Sequence, residues 1–144
     1  MEDRIDKFSS LLTNKIHEQL NLEFDRCGLK LRAKNYFYLD IINDEPGISQ
    51  AYFIELLHRD QSVVTRQINR LVKDGWLKKT YDPTDHRRSQ LYLTDKAKSS
   101  LPEIRQLKKT TEEKILACLE PFERELFKNL LKKVAINYKV QLIE

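Results

Sequence analysis

Cysteine, glycine, proline and long apolar runs are all scarce in this chain of 144 residues, and each scarcity excludes something. The two cysteines, Cys27 and Cys118, lie far apart and outside any CxxC pair, so neither a disulfide framework nor a zinc ribbon is indicated. His17, His58 and His86 stand apart from one another, without HExxH or HxxxH spacing. No Ser-His-Asp order, catalytic carboxylate pair or phosphate-cradling glycine loop occurs. The expectation is a non-enzyme with no cofactor and no metal. No apolar run nears the roughly 20 residues of a membrane span. The opening MEDRIDKFSS lacks the basic-then-apolar layout of a signal peptide. A cytoplasmic chain with no membrane partner is therefore expected. Only three glycines and four prolines predict long helices and few loops. Hydrophobic content of 40% suffices for a packed core, in a single domain or in one small module with dimerising extensions.

What is present is unevenly distributed. The net charge of +4 says little until it is divided along the chain. Residues 1–58 hold 7 basic and 10 acidic side chains, residues 59–98 hold 10 and 5, and residues 99–144 hold 9 and 7. The positive excess lies in the middle, as the footprint of a polyanion partner should. Within that middle, Val64, Ile68, Leu71 and Val72 recur at helical spacing and predict an amphipathic helix. Asp60 is placed to cap its start, and Gly75 stands where a glycine ends a helix. The opposite face carries Ser62, Arg66, Asn69 and Lys73, flanked by Gln61, Val63, Thr65 and Arg70. That face is short, polar, cationic and nearly free of acid, whereas a merely solvated face mixes both signs.

Residues 76–82 and 89–94 alternate apolar and polar residues as paired strands do. Between them runs Asp-Pro-Thr-Asp-His-Arg-Arg, turn chemistry with two arginines at or just past the tip. Helix, glycine, strand, arginine-bearing loop and strand make a winged helix-turn-helix. Its helix suits a major groove, and its loop the adjacent minor groove.

Around this unit the periodicity predicts a helix over residues 3–26, with Ile5, Phe8, Leu11 or Leu12, and Ile16 on one face. A second helix is expected over 31–43, and a short third one opening at Ile48 or Ser49 and running to about His58. Phe53, Leu56 and Leu57 form its buried side. Thr94 suits the cap of a long helix over 95–118, in which Pro102 should produce a kink or a break. A last helix restarts at Pro121 with a stripe of Phe122, Leu126, Phe127, Leu130, Leu131, Val134 and Tyr138. Both terminal helices have apolar faces with no sheet to cover, so pairing across a two-fold axis is expected.

These residues resemble the MarR family of winged-helix transcriptional regulators, from about Leu31 to Thr94. Gly47-Ile48-Ser49-Gln50 is similar to the opening of the family's third helix. Ser62-Val63-Val64-Thr65-Arg66, Arg70-Leu71 and Gly75-Trp76-Leu77 resemble its recognition helix and first strand. Asp82-Pro83-Thr84-Asp85-His86-Arg87-Arg88, with Leu93-Thr94 at the family's distance, is the most specific match. The resemblance implies that Arg87 enters a minor groove and that Asp85 braces it. It also implies that Ser62, Thr65 and Arg66 contact DNA from the helix. Three departures concern helix starts: Arg32 and Glu120 stand where Ser or Thr is usual, and Ala97 where glycine is common.

The residue chemistry agrees. Arg66 is long enough to reach guanine O6 and N7, and Gln61 or Asn69 suits adenine. Ser49, Gln50, Ser62 and Thr65 suit phosphate positioning, and Arg87 suits a narrow minor groove. The candidate DNA-binding residues are therefore Gln61, Ser62, Val63, Thr65, Arg66, Asn69 and Arg70 on the helix, and His86, Arg87 and Arg88 on the wing. Asp85 is their support, and Ser49 and Gln50 are phosphate contacts.

Other clusters carry less. Cys27 is either a redox sensor or a plain buried thiol, Cys118 reads as core, and His17-Glu18 with Glu23 is either a metal site or surface. Tyr36-Phe37-Tyr38 either lines an effector pocket or packs the core.

The fold expected is mainly α with a small β hairpin, a winged helix-turn-helix flanked by dimerisation helices. Residues 1–29 and 97–144 pair subunits and 30–96 bind DNA. The function expected is a homodimeric repressor of a pseudo-palindromic operator in double-stranded DNA, modulated by a small ligand or other signal. The alternatives are a winged-helix protein-interaction module without operator binding, and a metal- or redox-sensing regulator using Cys27.

Overall fold

A computed structural model describes residues 4–57, 59–85 and 88–143, with side chains as far as residue 138. Helix α1 spans Ile5–Arg26, α2 Ala33–Asp44, α3 Gln50–Leu57, α4 Gln61–Lys73, α5 Asp95–Ile115 and α6 Pro121–Ile143. Three strands complete the chain: β1 (Ile48–Ser49), β2 (Leu77–Tyr81) and β3 (Ser89–Leu93). They form one antiparallel sheet in the order β1-β3-β2, with Ile48 opposite Leu91 and Leu77 opposite Leu93. The wing hairpin has the expected alternation: Ser89, Leu91 and Leu93 point inward, and Gln90 and Tyr92 lie between them. The third strand is an addition to the expected hairpin. Ile48 and Ser49 were expected to open α3, but pairing with β3 takes them, and two residues are too few for period-2 alternation to register.

One core unites helices α1 to α5 and the sheet. Trp76, Tyr38, Phe24, Phe53, Leu39, Ile42, Ile68, Leu91 and Ile104 are all buried within it. Leu56 and Leu57, expected inside with Phe53, are only half-buried. The inward face of α4 consists of Val64, Ile68 and Leu71, as its spacing predicts.

Gly75 ends α4 with φ +82, a backbone angle that side-chain-bearing residues rarely adopt. Around it the Trp76 amide donates to the Leu71 carbonyl at 2.9 Å and the Gly75 amide to that of Val72 at 3.1 Å. These two bonds satisfy carbonyls that the helix end would otherwise leave open. The same chain reversal at Gly28 turns α1 toward α2.

The helix starts that depart from Ser or Thr are satisfied from elsewhere. Asn21 on α1 accepts from the Ala33 amide at 2.8 Å, so it caps α2 where Arg32 offers no acceptor. The Glu120 amide donates to the Glu123 carboxylate at 2.8 Å, half of a capping box at the start of α6. Thr94 caps α5 as expected, accepting from the Ala97 amide at 3.1 Å. Asp60 holds the expected position before α4, but its side chain makes no cap bond. Its backbone carbonyl accepts from Val63 and Val64 instead.

Two further expectations are corrected. Of the kink or break expected at Pro102 the break does not occur: helix α5 continues through it, because one missing amide on the exposed side is tolerated within a helix packed by Leu101, Ile104 and Thr111. Cys118 is exposed rather than core: it sits in a 3-10 turn, Leu116–Cys118, which ends the stripe that α5 would have continued.

Candidate nucleic-acid interface

The outer side of α4 is held open by the burial of its inner side. Gln61, Ser62, Arg66, Asn69, Arg70 and Lys73 are exposed. Val63 and Thr65, expected on the same face, are half-buried at its two flanks. The Thr65 flank faces α3: Gln50 Nε2 donates to Thr65 Oγ1 at 2.7 Å. The opposite flank faces α2, where the Tyr38 hydroxyl donates to Gln67 Oε1.

Arg70 is tied back along the helix. Its Nε lies 3.4 Å from the Asp74 carboxylate, which also takes Lys30 at 3.2 Å. The Asp74 side chain is only 7% exposed, and burial works to raise its pKa. Hydrogen bonds and charge from Lys30 and Arg70 outweigh that and hold the carboxyl below its ordinary value. Lys96 Nζ donates to the Asp74 carbonyl at 3.0 Å and lies 4.3 Å from the centre of the Trp76 ring. Cations thus surround the negative end of the α4 dipole.

Ser49, expected as a phosphate contact, caps α3 by accepting from the Tyr52 amide at 3.3 Å. It also lines, with Gln50, Gln61, Lys79, Tyr81 and Arg88, a crevice of about 500 Å³. This crevice lies between the starts of α3 and α4 and the sheet. Lys79 and Tyr81 were not among the expected site residues. Their alternation on β2 puts both on one face, with Lys79 Nζ 5.9 Å from the Tyr81 ring centre, and that alternation was the available signal.

At the start of the wing the Asp82 carboxylate accepts from the Thr84 amide at 2.8 Å and the Thr84 hydroxyl at 2.7 Å. Those two bonds hold its pKa below the ordinary value, with the hydroxyl the larger influence. The loop closes through Asp82 N–H to the Arg88 carbonyl at 3.0 Å and Arg88 N–H to the Asp85 carbonyl at 3.0 Å. Asp85 also lies 3.8 Å from the Arg88 guanidinium. His86 and Arg87, and with them the expected bracing of Arg87 by Asp85, lie outside the described residues.

Tyr36 and Tyr38 are core residues, and only Phe37 of that cluster offers surface. Arg59 lies 5.5 Å from the Phe37 ring centre and Lys108 lies 4.8 Å from that of Tyr36. His17 is close to the same cations: partial burial, then the charges of Arg59 and Lys108, lower its pKa from 6.5. Among the described residues no group of three or more His, Cys, Asp or Glu is placed to hold a metal ion. Cys27 is half-buried. No described helix is long and apolar enough to cross a membrane.

Comparison with known proteins gives a consistent picture. The sequence model of the MarR family matches residues 31–89. The chain is 27% identical to the transcriptional regulator HosA of Escherichia coli over 130 residues, 85% of this chain and 96% of that protein. It is 30% identical over 117 residues to the uncharacterized HTH-type transcriptional regulator YybA of Bacillus subtilis, 81% of this chain and 77% of that one. A crystal structure of MarR superposes with a TM-score of 0.85 at 22% identity, covering 93% of this chain and 96% of that one. A mutant MarR from E. coli complexed with operator DNA gives 0.75 at 23% identity, covering 90% and 92%. The fold, the wing and the curated relatives agree: the chain belongs to the MarR family, a winged helix-turn-helix family whose relatives named here are transcriptional regulators.

Proposed function

We propose that this regulator binds double-stranded DNA sequence-specifically as a homodimer, acting as a repressor. The carrying observation is the outer face of α4, where Arg66, Asn69, Arg70 and Lys73 stand exposed with no acidic side chain among them. Each α4 enters a major groove, with Gln61, Ser62, Arg66 and Asn69 toward base edges, and the wing residues His86, Arg87 and Arg88 follow the flanking minor groove. Gln50 and Thr65, with Ser49 at the end of the crevice, lie toward the phosphates. That a MarR relative of the same fold was crystallised with operator DNA supports this reading.

Subunit pairing is supported by the terminal helices. No described side chain of α6 is buried, and Phe122 is 71%, Leu126 54%, Leu130 53% and Val134 70% exposed. On α1, Ile5 is 87% and Leu11 58% exposed. Contiguous apolar surface of this kind marks an interaction site. Covering even half of each such side chain contributes on the order of 1 kcal/mol. Residues 1–29 and 97–144 accordingly pair the subunits, and residues 30–96 meet DNA as half-site readers about one helical turn apart. A small effector acts at the junction of these regions, where Arg59 lies over the Phe37 ring and His17 feels the charges of Arg59 and Lys108.

Selection from a random pool of duplexes, followed by titration at two salt concentrations, tests the reading. An enriched inverted repeat and a steep salt dependence are expected. No enriched motif and no salt dependence would mean a protein-interaction module instead.

A further inference from the structure

Three side chains form a directed chain across the crevice between the wing and α4. Lys79 Nζ on β2 donates to Gln50 Oε1 at 3.0 Å, and Gln50 Nε2 donates to Thr65 Oγ1 at 2.7 Å. The direction is fixed by chemistry. A lysine ammonium only donates, so the oxygen of the Gln50 amide must face it. The amide nitrogen therefore faces Thr65, whose hydroxyl oxygen accepts from it with one of its two lone pairs. The hydroxyl hydrogen is left to point elsewhere.

We propose that the Lys79–Gln50–Thr65 chain polarises the Thr65 hydroxyl and turns its hydrogen outward, so that α4 reads a hydrogen-bond acceptor on DNA at this point. This rests on the proposed reading of α4 as the DNA-facing helix. The acceptor is an oxygen of the phosphate backbone or an acceptor on a base edge, such as guanine O6 or N7 or thymine O4. An exposed threonine discriminates little, because its hydroxyl rotates to donate or accept as its partner requires. Thr65 is half-buried, and its oxygen accepts from a neighbour that is itself committed by a cation. Bonds in such a chain polarise one another, which strengthens the terminal donor. The same chain ties β2, and so the wing, to α4 through the first residue of α3.

Gln50→Glu provides the test, because it keeps the shape and reverses the direction. The carboxylate still takes Lys79, but its second oxygen now captures the Thr65 hydrogen and turns the hydroxyl into an outward acceptor. Thr65→Val removes the hydroxyl while keeping the branched shape. Affinity is measured for wild type, Q50E, T65V and the double variant, on the duplex that wild type enriches. Gln50→Glu is expected to cost about fivefold more in the wild-type background than in the T65V background, the size of one hydrogen bond. The added negative charge is common to both comparisons and cancels. Repeating the selection with T65V identifies the acceptor. Loss of preference at one base pair places it on a base edge, and a uniform loss across sequences places it on a phosphate. If Gln50→Glu costs the same in both backgrounds, the hydrogen goes instead to the Gln61 carbonyl one turn back, and the proposal is overturned. If wild type enriches no duplex, the reading of α4 fails before this one is reached.

Discussion

The hydroxyl of Tyr38 on α2 donates to Oε1 of Gln67 on α4, and Arg59 Nη1 reaches the same oxygen at 3.5 Å. The Tyr38 ring is buried, stacked on Phe37 at 4.5 Å and tilted against Phe53 at 5.0 Å between ring centres. The hydroxyl is therefore carried to Gln67 by a ring that cannot turn aside, and it fixes the rotation of α4 about its own axis. Tyr38→Phe removes that bond alone. It should lower stability by about 1–2 kcal/mol, because Gln67 is left with the longer Arg59 contact. A urea titration should show a lower midpoint at unchanged slope. An unmoved midpoint would show that the bond contributes nothing.

Trp76 anchors the other end of α4. Its ring is 0% exposed and its Nε1 donates to the Lys30 carbonyl at 2.8 Å, joining the turn after α4 to the segment before α2. Trp76→Phe loses buried volume and orphans that carbonyl, for an expected cost of about 2–3 kcal/mol. Since Trp76 is the sole tryptophan of the chain, circular dichroism rather than fluorescence is the measurement. A loss under 1 kcal/mol would contradict this account.

Dimer formation is tested on α6. Leu126→Glu with Leu130→Glu should leave the helical signal of the chain intact, since neither side chain is buried within it. Sedimentation velocity should then show a monomer where wild type sediments as a dimer. A persistent dimer would move the pairing surface away from α6.

Two arginines should separate by kind of contact. Arg66→Ala should weaken operator binding by about 1–3 kcal/mol and relax the preference at one base pair. Arg88→Ala should weaken binding to all duplexes alike and reduce the slope of log affinity against log salt by about 1. Equal effects of both kinds from the two variants would defeat the assignment.

His17 predicts a pH dependence. Partial burial and the charges of Arg59 and Lys108 lower its folded pKa below 6.5, so the folded chain favours the neutral ring. Between the lowered value and 6.5 the unfolded chain binds more protons than the folded one. The contribution is complete above 6.5 and is lost as the pH falls below it. A series of Tm values against pH should therefore decline less steeply below 6.5 for His17→Gln than for wild type. Parallel profiles would remove His17 from the account.

The parts written in local periodicity were legible. Val64, Ile68 and Leu71 repeat at a helix's spacing, and Gly75 ends that repeat where the left-handed turn falls. Alternation gave β2 and β3 and left an arginine-bearing loop between them. What was misread depended on partners distant in the chain. Ile48 and Ser49 are a strand only because Leu91 and Gln90 lie beside them. Asp60 was expected to cap by its side chain, but the backbone carbonyl serves. Asn21, twelve residues before Ala33, caps a helix that its own neighbourhood does not mention.

The sequence by itself determined which faces are oily, where helices stop, and that positive charge gathers in one segment, because each is a property of near neighbours along the chain. Only the tertiary structure decided that Gln67 serves α2, that Lys30 joins Arg70 on Asp74, and that Lys79, Gln50 and Thr65 meet. The reason is geometric. A hydrogen bond depends on two groups coming within about 3 Å, and for residues 15 or 29 positions apart only the packing of whole elements sets that distance.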